Sequence, residues 1–165
     1  MTRKVFLSRG HSVADTVLPP TVDSMRQRLG GRVGAGSGAF RIGAVVEVPT
    51  ASGGARTGIV LASTTSSVDV FLERGIVKRT EPGNVKLQLG GTPSALARVA
   101  EQANVFATLF EGQAVHVERG EGSSTRGTLR EKCRYGALVE IDGGTMLGVG
   151  FQRLWPAPAP TSEPA

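Results

Sequence analysis

Cysteine, aromatic side chains and long apolar runs are all scarce in this 165-residue chain. Its single cysteine, Cys133, excludes an internal disulfide and any multi-thiolate zinc site, so nothing points to an oxidising compartment. Aromatics make up 5% of the residues against 39% hydrophobic, which implies an aliphatic core. Phe71 in 43–91, and Tyr135, Phe151 and Trp155 in 111–156, do not suggest the roughly three or four caging rings with which a small barrel holds a methylated cation. No run approaches the ~18 apolar residues of a membrane span. Val5-Phe6-Leu7, behind Arg3 and Lys4, is too short for a signal-peptide apolar region, so the expected location is cytoplasmic. The two histidines, His11 and His116, have no partner at zinc-ligand spacing. A Gly-x-Ser-x-Gly elbow is missing, and the glycine-rich run 31–38 lacks both a preceding strand and the Lys-Ser/Thr of a phosphate loop. These absences argue against catalysis and against a bound metal or cofactor.

Glycine is plentiful instead, at 23 residues, and it punctuates short Val-rich runs. That pattern is clearest in Gly112–Trp155, where AVHV, GTL, ALVEI and MLGV alternate with turns, as in a small antiparallel barrel. Moving back 69 residues without a gap produces a second copy: Gly43, Val46, Val48, Gly58 and Val70 fall on Gly112, Val115, Val117, Gly127 and Val139. Val60 with Leu129, Leu72 with Ile141 and Val85 with Leu154 are conservative pairs at the same offset. Turns and apolar positions agreeing together point to an internal repeat.

The expected organisation is mainly all-β: two small barrels, at 43–91 and 111–156, joined by a helix over 92–110. An N-terminal arm, 1–42, holds a short helix over Val22–Leu29 capped by Thr21, then a Gly-rich linker. A Pro/Ala tail, 157–165, is expected to be disordered. In the first barrel Val68, Val70 and Leu72 alternate with Asp69, Phe71 and Glu73, which predicts one buried and one wet face. Between the barrels Thr92 is placed as a cap, Pro93 as the first helical residue, and Leu96, Val99, Ala103, Phe106 and Phe110 as one apolar stripe packed across both barrels.

Net charge is +5, and all of that excess lies in residues 1–42, which hold seven basic and two acidic residues. The candidate phosphate contacts there are Arg3, Lys4, Arg26, Arg28 and Arg32. In the second barrel an extended 125–134 segment would align Arg126, Arg130, Lys132 and Arg134 on one face by the period of two, with Tyr135 and Trp155 as stacking surfaces. His116, out of phase with Val115 and Val117, is expected to face solvent. Cys133 lies between Lys132 and Arg134, which would lower its pKa if the fold also placed a base beside it; the simpler expectation is an inert thiol on a small barrel.

Two family resemblances bear on function. Gly43-Ala-Val-Val-Glu-Val48, Gly58-Ile-Val60 and Val68-Asp-Val-Phe-Leu72, with their counterparts in 112–141, resemble SH3-like barrels of the Tudor and KOW type. That resemblance implies non-catalytic binding of nucleic acid, a nucleic-acid machine or a protein tail. Gly127-Thr-Leu-Arg-Glu-Lys-Cys-Arg-Tyr-Gly-Ala-Leu-Val139 is similar to the core of a PilZ domain, a barrel that binds cyclic di-GMP. That family's Asp/Asn-x-Ser-x-x-Gly stands here as Glu131-Lys-Cys133-Arg-Tyr-Gly136, and its upstream Arg-x-x-x-Arg is read as absent before Val115. The expectation is a binding module with nucleic acid as first partner, and a cyclic di-GMP module or a protein-interaction adaptor as alternatives.

Overall fold

Short runs of β-branched residues between glycine turns become strands, because each strand buries one pleated face and each glycine admits a tight reversal. The computed structural model describes residues 2–4 (as backbone), 21–32, 38–73, 76–120 and 122–158. In chain order the elements are strand β1 (Thr2–Lys4), helix α1 (Val22–Arg28), then β2 (Val45–Pro49), β3 (Ala55–Ser63), β4 (Val68–Glu73) and β5 (Ile76–Thr80). A 3-10 turn, Pro82–Asn84, leads to β6 (Lys86–Leu87); another, Ser94–Leu96, runs into helix α2 (Ala97–Thr108). Then come β7 (Ala114–Gly120), β8 (Ser123–Lys132), β9 (Gly136–Ile141), β10 (Thr145–Gly150), a 3-10 turn Phe151–Arg153, and β11 (Leu154–Pro156). The protein is mainly β, with two antiparallel sheets ordered β1-β5-β4-β3-β2-β6 and β10-β9-β8-β7-β11, and α2 between them in sequence.

Strands β2–β6 correspond one for one to β7–β11 at the 69-residue offset, and β1 is additional to the first sheet. Val46 faces Gly58 and Val115 faces Gly127; Val60 faces Val70 and Leu129 faces Val139; Val46 also faces Leu87, as Val115 faces Pro156. Even the register shift recurs in place, between Val60 and Ala62 on β3 and between Leu129 and Glu131 on β8. In both halves a 3-10 turn delivers the last short strand back onto the first.

What differs between the copies is the outer face. The inner core of the first sheet is Val46, Val48, Val60, Val68, Val70, Leu72 and Val85. On its other side Ile59, Leu61, Phe71 and Val77 are also buried, in a cluster shared with α2 and with Val115, Val117, Leu129, Val139 and Phe151 of the second sheet. Phe71 meets Phe151 edge-on at 6.5 Å, and Phe106 of α2 sits 6.3 Å from Phe151 on another side. The corresponding outer residues of the second sheet are Thr128, Arg130, Glu140 and Met146, none of them fully buried. Burying the four apolar residues is worth roughly 6–12 kcal/mol in gross transfer terms. A unit of this length is marginal alone, and its apolar back is what fuses it to the other half.

Four expectations are corrected here. The second face of β4 is not wet: Asp69 is 0% exposed and Phe71 4%. Alternation indicates two environments, but a partner unit has covered the polar-looking one. Thr92 does not cap; the helix opens with the 3-10 turn and no side-chain cap bond. The apolar stripe of α2 ends at Phe106, and the chain becomes extended at Leu109, so Leu109 is buried while Phe110 is 61% exposed. His116 is half-buried rather than solvent-facing, and its Nδ1 finds no hydrogen-bond partner among the described residues.

Candidate functional site

Residues 21–32 of the N-terminal arm are docked on the second sheet and its 131–136 turn. Helix α1 opens with a reciprocal capping box: the Ser24 amide donates to Thr21 Oγ1 at 3.0 Å and the Thr21 amide to Ser24 Oγ at 2.9 Å. Seven residues are too few for a stable isolated helix. Its support is tertiary, since Met25 and Leu29 are buried against Cys133, Leu138 and Met146 on the outer face of the second sheet. The chain then turns through Gly30 and Gly31, both with positive φ (85° and 78°), and pairs with the 131–136 turn. Arg32 forms an antiparallel bridge with Cys133, the Arg134 amide donates to Gly31 O at 3.0 Å, and the Tyr135 amide donates to Leu29 O at 2.9 Å.

This close approach needs glycine on both sides. A Cβ on Gly30 would lie 2.5 Å from the Tyr135 ring, and one on Gly136 would lie 2.1 Å from Val149 O and 2.9 Å from Leu29 Cδ2. Gly136 therefore has a packing role: it lets β9 lie against β10 and the arm lie on both.

Around the turn, each charged side chain belongs to a different neighbour. Arg26 donates to both carboxylate oxygens of Glu131, at 2.5 and 3.1 Å, and to Asp23. The bonds to Arg26 hold the Glu131 carboxyl below its ordinary pKa. Lys132 Nζ donates to Phe106 O and Leu109 O at 2.9 and 3.0 Å and sits 4.5 Å above the Phe106 ring, where it neutralises the C-terminal end of α2. Burial pushes its pKa down. Arg134 donates to Asp69 Oδ2 at 3.2 Å, across to the first sheet. Arg79 donates to the same carboxylate at 2.7 and 3.2 Å and to the Tyr135 hydroxyl at 3.3 Å. Burial raises the Tyr135 pKa, and burial pushes the Cys133 thiol up to about 11.

The expected four-cation ribbon is therefore dismantled. Lys132 and Arg134 are held by internal acceptors. Arg126 is exposed and donates to Pro158 O, and Arg130 is half-exposed and paired with Glu140 at 2.9 Å. The register shift after Leu129 breaks the period of two on which the ribbon rested. Tyr135, 2% exposed, offers no stacking surface; Trp155 is half-buried. The sequence neighbours of Cys133 do not activate it: Lys132 and Arg134 turn to Phe106 O, Leu109 O and Asp69, and burial of the thiol, with Glu131 beside it, pushes its pKa up. In the arm, Arg26 is committed to Glu131, Arg28 is exposed, and Arg32 is 63% exposed with a 3.6 Å bridge to Glu111. Backbone residues 2–4, carrying Arg3 and Lys4, pair antiparallel with β5. The tail beyond Pro158, and the arm between Lys4 and Thr21, lie outside the described residues.

Sequence reasoning missed two things. Arg28-Leu-Gly-Gly-Arg32 is itself an Arg-x-x-x-Arg, far from the second repeat in sequence yet seated beside Glu131–Gly136 in space. Only the motif's spacing could have flagged it. The Asp69–Arg79 pair was more accessible, since the two residues face each other across the β4–β5 hairpin. Among the described residues no group of three or more His, Cys, Asp or Glu is placed to hold a metal ion, and no helix is long and apolar enough to cross a membrane. No protein-family model matches the chain, and no curated protein matches it.

Proposed function

We propose that the chain is a non-catalytic binding module of two SH3-like barrels, and that its ligand site is the junction of the arm with the 131–136 turn. The ligand class is a nucleotide with phosphodiester charge, with cyclic di-GMP first to be tried. The observation that carries this reading is that the backbone of Leu29, Gly31 and Arg32 pairs with the 131–136 turn, which seats the segment from Arg28 to Arg32 beside Glu131-Lys-Cys-Arg-Tyr-Gly136. The PilZ resemblance pairs an Arg-x-x-x-Arg with an Asp/Asn-x-Ser-x-x-Gly turn; here Arg28 and Arg32 have that spacing, and the turn keeps Gly136 but carries Glu131 and Cys133 at the other two positions. Arg28 and Arg32 are also the exposed cations of the junction, and a 3.6 Å bridge between two exposed groups holds Arg32 only weakly. Guanidinium groups there can donate to phosphate in pairs.

The test is calorimetry of the full chain with cyclic di-GMP, with GMP as control, repeated on the Arg28→Ala/Arg32→Ala variant. Binding of the dinucleotide alone, weakened at least ~10-fold by the double change, supports the reading. No heat at ~100 µM ligand ends it.

Nucleic acid, the first partner expected from the sequence, is here the second reading, and the positive excess of 1–42 supports it as a phosphate-binding signature. The cations that would meet its phosphates are Arg28, Arg32, Arg126 and Arg130. Deleting the arm would uncover the seat of Met25 and Leu29, so the discriminating variants are Arg28→Ala/Arg32→Ala and Arg126→Ala/Arg130→Ala. Every arginine–phosphate pair removed in this way should reduce the salt slope of DNA or RNA binding by about one. A slope that neither double variant changes removes this reading.

A further inference from the structure

The four edges of the two sheets are treated very differently. Edge β6 is two residues long and carries Lys86, and β11 is three residues long and ends in Pro156. The third edge is β1, three residues long and carrying Arg3 and Lys4, which covers β5 in an antiparallel pairing, Thr2 to Lys78 through Lys4 to Ile76. Shortness, lysine, proline and a covering strand are the usual devices that stop an edge from recruiting another chain. The repeat places β10 where β5 stands in the first sheet. Strand β10, Thr-Met-Leu-Gly-Val-Gly, has no charge and no proline, and pairs with β9 over six consecutive residues without a register shift. Among the described residues nothing pairs with its other side.

We propose that β10 is the edge along which two copies of this chain pair, antiparallel about a twofold axis, to form one continuous sheet. A twofold makes an edge strand antiparallel to itself, the sense of every pairing in both sheets. Charge decides the occupant. Self-pairing of an IVKRT edge like β5 would bring lysine and arginine into opposition, whereas self-pairing of β10 opposes only uncharged residues. With the twofold at Leu147, that side chain opposes its own copy across the axis and Thr145 faces Val149. The first sheet demonstrates that this position in the fold accepts an antiparallel strand. Six paired residues make a small interface, so the dimer is a weak one.

Sedimentation equilibrium on the full chain, between about 1 µM and about 1 mM, should show the mass rising toward that of two chains. Residue-resolved hydrogen exchange should show the outward amides of 145–150 slowing at least ~10-fold over the same range. Leu147→Lys and Leu147→Glu, each alone, should be monomeric, and an equimolar mixture should recover the dimer through opposite charges across the axis. A single-chain mass at about 1 mM overturns the proposal. A dimer whose 145–150 amides exchange at the dilute rate overturns it too, as does a Leu147→Lys dimer as strong as the parent. If these variants fail to fold, the exchange experiment on the unaltered chain decides alone.

Discussion

Replacing Asp69 by alanine tests the claim that the two halves are tied by one buried carboxylate. Asp69 has no exposed surface and accepts from Arg79 at 2.7 and 3.2 Å and from Arg134 at 3.2 Å. Its removal leaves two guanidinium groups without an anion. Breaking a fully buried pair costs about 3–5 kcal/mol. The Arg79 side chain is 41% exposed and can turn to water, while Arg134, at 17%, has less freedom. The expected loss is therefore at the low end, about 3 kcal/mol, or a fall in Tm of roughly 6–12 °C for a chain this long. The repeat supplies the control. At the position equivalent to Asp69 the second sheet has Leu138, buried against Met25 and Leu29, so an apolar solution at this site is compatible with the fold. Asp69→Leu combined with Arg79→Met and Arg134→Met should come within about 1 kcal/mol of the parent, since uncharged packing replaces an ion pair with little net loss. Urea unfolding with matched m-values is the assay. A loss below about 1 kcal/mol for Asp69→Ala, or a triple variant no better than the single, would refute the reasoning.

Three further outcomes follow from the junction. Cys133, 0% exposed and with its pKa pushed up to about 11, should react with a thiol reagent at about pH 8 at least ~100-fold more slowly in the native than in the urea-unfolded chain; equal rates would contradict its burial. Glu131 has its folded pKa lowered from 4.5 by Arg26, so the stability it contributes is present above the unfolded value and is lost as pH falls through the lowered folded value. Glu131→Gln should accordingly flatten the acid side of the stability–pH curve below about pH 4.5, and an unchanged acid limb would show that the Arg26 pairing does not stabilise the fold. Gly136→Ala places a methyl group 2.1 Å from Val149 O, so β10 must part from β9, at a cost of about 1–3 kcal/mol by denaturation; a neutral result would disprove the close approach.

The strands of both halves, the 69-residue repeat and helix α2 were legible because each depends on local pattern: glycine turns, the period of two, and the helical stripe Leu96, Val99, Ala103, Phe106. The candidate site was legible only in pieces. Arg28 and Arg32 stood out as cations, and Glu131–Gly136 as a motif, but no sequence rule brings residues about a hundred positions apart into register. The basic ribbon failed for a related reason. Whether Lys132 and Arg134 face water depends on where the end of α2 and the carboxylate of Asp69 come to rest, and both are non-local.

By itself, then, the amino-acid order determined two similar antiparallel units and a linking helix, since turn chemistry and alternation act over a few residues and apply equally to each copy. It also determined that the first unit carries Ile59, Leu61, Phe71 and Val77 where the second carries Thr128, Arg130, Glu140 and Met146. What that difference means was decided only in three dimensions. The apolar back of the first sheet is buried against α2 and the second sheet, while α1 covers part of the second sheet's back, and β10 keeps an edge unpaired among the described residues. Burial is a property of what lies opposite, so the same alternating strand is half wet in one context and dry on both faces in another.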